Sequence, residues 1–171
     1  MDDAKTVSVH EWDEAGYRAL QARAAGTNLD PVTLLATDYL NHFNEIVMLL
    51  ELVADMPEML EDAKAWEPVS YVEHFQNSGI ADKDIAVEAY DYVPPEYREP
   101  FDDTVELINS LIARSLDRLD DAVAKGDPDM IREVATRQSQ NIQRLTEAAS
   151  GIMHGNSARM AQGEIDRIME A

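Results

Sequence analysis

Apolar residues return every three or four positions in three stretches of the chain, the spacing of helices that each bury one face. In residues 31–56, read at about 100° per residue, Leu35, Tyr39, Ile46, Leu49, Val53 and Met56 share a face. Asp30 and Pro31 supply an N-cap and a first helical residue there, and Pro57 ends or kinks the helix. In residues 101–125 a second face is formed by Phe101, Val105, Ile108, Ile112, Leu116, Leu119 and Val123, after Pro94, Pro95 and Pro100 have broken up the stretch before it. A third face, in residues 128–154, carries Ile131, Ala135, Ile142, Leu145, Ala149 and Ile152 and closes near Gly155 and Asn156. Gly126, Asp127 and Pro128 are a stop, a cap and a start in consecutive positions, which predicts a tight antiparallel hairpin of the last two helices.

Shorter elements lie between these. Ser8 and Glu11 have capping-box spacing and predict a first helix over 9–24, stopped by Gly26. A helical piece over 58–66 follows Pro57. Ser70 and Glu73 repeat the capping-box spacing and predict a helix over 71–76, closing at Gly79, and Asp82 caps another through 92. An amphipathic segment over 158–170 brings Ala161, Ile165 and Ile168 or Met169 together. No stretch alternates like a strand, so the expectation is an all-α bundle of three long helices plus several short ones. One domain of 1–171 is expected, with a helical arm over 1–29, a bundle core over 30–155 and a C-terminal amphipathic helix over 156–171.

Composition narrows the chemistry. The chain has no cysteine, which leaves His, Asp and Glu as its strong metal ligands. Thirty-four acids against fourteen bases give a formal charge of −20, the wrong sign for a phosphate-binding surface, so neither nucleic acid nor an anionic membrane is the expected partner. The acid is concentrated in residues 45–121, with twenty acids against five bases, most simply as a solvated helical face. The first ten residues lack the apolar core of a signal peptide, and a cytoplasmic protein is the default expectation.

The anomaly in the pattern is His42, which falls within the apolar stripe of the 31–56 helix, with Asp38 and Glu45 at its edge. Polar groups buried without partners cost about 1–3 kcal/mol each, so His42 needs hydrogen bonds or a metal. Two readings follow. In the first, Asp38, His42 and Gln138, the last at the centre of the 128–154 face, make a buried polar layer that sets helix register. In the second, His42, Glu45 and His74 bind one divalent transition metal. A dinuclear carboxylate centre is not expected, because the inner face of 101–125 offers Thr104 and Ser115 and no carboxylate. Trp12, Trp66, Tyr90, Tyr92 and Tyr97 read as anchors of the short helices.

Residues 160–169 carry one further signal. Gln162, Glu164, Ile165 and Asp166, followed by Ile168 and Met169, resemble the short acidic-hydrophobic peptides with which flagellar switch proteins and chemotaxis phosphatases bind phosphorylated receiver domains. The resemblance covers about ten of 171 residues and implies an accessory protein that docks to a response regulator. Receiver phosphatases present an acid and an amide from one exposed helix face to orient water; Glu106 and Asn109 have such spacing here. The run over 137–141 does not reproduce the fuller helical-phosphatase motif.

The sequence thus points to a protein that acts by binding another protein, with no cofactor expected unless the His42 metal reading holds. A homodimer is also expected, because Leu40 and Val47 lie nearly opposite His42 and residues 46–54 are apolar around most of the helix.

Overall fold

The computed structural model describes residues 11–156 and 160–171. Among them every regular element is helical: α1 (Glu14–Arg23), α2 (Asn41–Val53), α3 (Leu60–Ala65), α4 (Tyr71–Gln76), α5 (Lys83–Tyr90), α6 (Pro95–Lys125), α7 (Pro128–Met153) and α8 (Gln162–Glu170). Two 3-10 turns, Thr37–Leu40 and Pro57–Met59, lead into α2 and α3. Ser8 and Ser157, from which the first and last sequence-predicted segments start, lie outside the described residues.

The hairpin of α6 and α7 is the framework. Gly126 takes φ +73° to end α6, Asp127 accepts from the amides of Asp129 and Met130, and Pro128 begins α7, as the three letters predict. Ile108, Leu111, Ile112, Ser115 and Leu119 of α6 bury themselves against Ile131, Ala135, Gln138, Ile142 and Leu145 of α7. Helix α2 packs across α7, and α4 packs on α5. A single hydrophobic cluster runs from Tyr17 to Ile168.

Two helix starts differ from the sequence reading. Helix α6 begins at Pro95, six residues before Phe101, and carries Pro100 inside it. A proline there removes one backbone donor. The first turns are held from outside: Arg98 donates to the Tyr90 carbonyl at 2.9 Å and the Tyr90 hydroxyl donates to Asp102 at 2.6 Å. The helix expected over 31–56 is instead aborted after one turn and restarts as the 3-10 turn before α2. Asp30 does cap that turn, accepting from the amides of Val32 and Thr33. Leu34 then adopts φ +63°, which costs on the order of 1–2 kcal/mol for a residue with a side chain. Tertiary contacts offset this: the Leu34 side chain is fully buried, the Thr33 hydroxyl donates to the Met153 carbonyl at 2.6 Å, and the Ala36 amide donates to the Tyr71 hydroxyl at 2.8 Å. Thr33 is therefore in the core.

The N-terminal arm is stitched to the middle of the chain. The Trp12 indole donates to the Tyr92 carbonyl at 2.9 Å, and Arg23 pairs with Glu88 through both terminal guanidinium nitrogens. Gly16 lets α1 lie on the Tyr92 ring, since a Cβ there would stand 2.3 Å from Tyr92 Cε1. At the other end α8 is held by side chains that reach its carbonyls: Arg114 and Arg118 donate to Met169, and Asn141 to Ile168. Cations at a helix C-terminus also complement its dipole.

Candidate functional site

His42 sits on the first turn of α2 and is 8% exposed. Its Nε2 accepts the Val69 amide at 3.1 Å, its ring stacks on Trp66 with centroids 4.5 Å apart, and the Trp66 indole donates to its carbonyl. Accepting a backbone N–H at Nε2 leaves the proton of a neutral ring on Nδ1. Burial, with a smaller contribution from the neighbouring His74, lowers its pKa from 6.5 to about 4. His74 is also lowered by burial, against an opposing pull from Asp38.

The structure does not bring the rest of the expected layer to this ring. Asp38 accepts from the Asn28 side chain. Gln138 belongs to a separate cluster in which Ser115 and Arg118 donate to its Oε1 and its amide nitrogen donates to the Ala171 carbonyl. His42 and Gln138 are thus two independent buried polar sites. The three groups of the metal reading do not converge either. Glu45 is exposed, and the His42 and His74 ring centroids are 6.4 Å apart. Among the described residues no three His, Asp or Glu side chains are placed to share an ion.

Glu106 and Asn109 open onto different depressions. Glu106 lines a groove of 510 Å³ whose other walls include Leu107, Leu145, Ile152, Met160 and Ile165. Asn109 lines a 270 Å³ pocket with Tyr39, Tyr71, Tyr90 and Phe101, and its Oδ1 is buried with no hydrogen-bond partner among the described residues. The two side chains do not form a pair on one exposed face. In α8, Gln162 and Asp166 are exposed and bonded to each other at 2.9 Å, while Glu164 pairs with Arg144. Ile168 is buried, and Ile165 and Met169 are half-buried. A partner reaching for Ile168 must first displace α8.

The outstanding surface feature is on α2 and the turn that follows it. Met48, Leu52 and Met56 are 62%, 40% and 39% exposed and succeed one another at four-residue intervals. Asn41, Asn44, Glu45, Glu51 and Asp55 surround them, all exposed. Asp55 is held at 2.7 Å by Arg132 of α7, a helix whose first turn also carries the exposed Met130. No Lys or Arg occurs between Arg23 and Lys64, so α2 has no fixed positive charge of its own. The apolar excess of 46–54 was visible in the sequence, but the side assigned to it changes. Val47 and Leu40 are 4% and 8% exposed and are covered by this chain itself, because the packing of α2 on α7 and its neighbours wraps more than one face. What stays uncovered is the Met48 stripe.

Fold and surface together define an all-α helical bundle with an apolar stripe along the exposed, acidic side of α2 and the turn after it. No helix of the described residues is long and apolar enough to cross a membrane. Compared with models of protein families, with curated proteins and with solved structures, the chain matches none.

Proposed function

We propose that the protein works by binding another protein, in a regulatory or accessory role, and that α2 is where it does so. The observation that carries this reading is the exposure of Met48, Leu52 and Met56 in a row. Isolated apolar residues are ordinary on a surface, whereas a contiguous row ringed by polar groups marks an interaction face. Methionine suits that use because its unbranched, polarisable chain adapts to the shape of a partner. The receiver-domain form of this reading uses α8 instead, and requires Ile168 to leave the core.

Met48→Gln combined with Leu52→Gln tests it. Both positions face solvent, so stability changes by no more than about 0.5 kcal/mol. With the tagged full chain as bait, proteins retained from a cell lysate are expected to be lost from the double variant and kept by Glu133→Gln on α7. Retention of the same set by both variants, or of nothing by the wild type, contradicts the proposal.

A further inference from the structure

We propose that the α2 face takes a basic amphipathic helix of a partner protein; this rests on the reading above and adds the chemistry of what binds. Met48 and Leu52 lie one turn apart on α2, about 6 Å at 1.5 Å per residue, and Met56 follows just beyond the end of the helix, before the 3-10 turn. A partner helix lying along α2 sets apolar anchors at i and i+4 against that pair, with a further anchor reaching Met56.

Charge selects among occupants. Glu45 and Glu51 flank the stripe on α2 itself, and the run continues through Asp55, Glu58, Glu61 and Asp62, all exposed. Residues 45–63 hold these six acids and no Lys or Arg. Arg132 touches this run at Asp55 and Lys64 touches it at Glu61, while among the described residues no Lys or Arg contacts Glu45 or Glu51. A second copy of this chain, pairing face to face, would set acids against acids around the apolar row, and like charges so juxtaposed are repulsive. A partner helix with Leu or Met on one side and Lys or Arg beside it satisfies both the apolar row and its rim. Such a complex also associates faster at low salt, because the field of a chain at −20 steers cations toward it.

The probe is a labelled peptide of about 18 residues built from Leu and Lys in helical register, titrated into the full chain and read by fluorescence anisotropy. Two controls use the same composition scrambled to abolish the apolar side, and an acidic twin with Glu for Lys. The amphipathic basic peptide is expected to bind at least about tenfold more tightly than either control, and Met48→Gln with Leu52→Gln to weaken it by about tenfold. Glu45→Gln with Glu51→Gln is expected to weaken it several-fold. Equal binding of the scrambled peptide, equal binding of the acidic twin, or undiminished affinity in the methionine-face variant overturns the proposal. If the variant loses its lysate partners while the basic peptide fails to bind, the inference about charge falls and the binding function stands. If the variant loses neither, both fall.

Discussion

Tyr39→Ala is expected to lower the stability of the protein by about 3–5 kcal/mol, the range for deleting a large buried aromatic side chain. Tyr39 is fully buried at the junction of the turn before α2 with α4 and α6. Its ring lies 5.3 Å from Phe43, 5.4 Å from Tyr71 and 6.2 Å from Phe101, and its hydroxyl donates to the Val69 carbonyl at 2.7 Å. Truncation leaves a cavity among rigid rings that cannot collapse into it, and it strips a partly buried carbonyl of its donor. Tyr39→Phe separates the two effects, since it keeps the ring and removes the hydrogen bond; its cost is expected to be about 1 kcal/mol. Urea denaturation of the three proteins measures both. A loss below about 1 kcal/mol for Tyr39→Ala would mean that these aromatic residues do not hold the short helices to the bundle.

Acid sensitivity is the second large effect. The folded protein keeps His42 neutral down to about pH 4, whereas the unfolded chain protonates it near 6.5. Between those values the unfolded state binds the extra proton, so stability rises with pH. The His42 contribution is complete above about pH 6.5 and is lost as pH falls toward 4, amounting to about 2 kcal/mol between pH 7.5 and pH 5. His42→Gln offers an amide oxygen to the Val69 N–H and cannot titrate in this range. Its unfolding free energy is expected to fall by about 2 kcal/mol less than the wild type over the same interval, with His74 still present in both. Parallel pH profiles would show that the ring is solvated, not buried against Trp66.

Local signals in the sequence translated directly into structure. Ser70 and Glu73 form the capping box they spell, and Gly126, Asp127 and Pro128 form the turn they spell, because every group involved lies within four residues of its partner. Asp30 and Pro31 show where this stops. Their cap is present, yet Leu34 turns left-handed because Thr33 and Ala36 find partners at Met153 and Tyr71, which no local pattern encodes. Pro100 fails as a helix breaker for the same reason, since α5 holds the turns on either side of it.

The candidate site was half legible. Periodicity places His42 inside, and the structure buries it; its donor is an amide 27 residues away in a segment of no regular structure, Val69. Gln138 also reads as inward, but which inward polar groups meet depends on helix crossings that periodicity does not fix. On α2 the sequence shows more apolar surface than one neighbour needs. Only tertiary packing shows that Leu40 and Val47 are covered within the chain while Met48 and Leu52 are not.

The most direct measurement places a photoreactive phenylalanine analogue at position 48 of the full chain, and separately at position 133 on α7, with irradiation in living cells. Adducts of the chain with a different protein are expected from position 48 and not from 133, joined through a Lys- and Arg-rich amphipathic helix of that protein. Adducts from position 48 that contain two copies of this chain, that map to an acidic segment, or that are no more abundant than those from 133 would contradict the proposal.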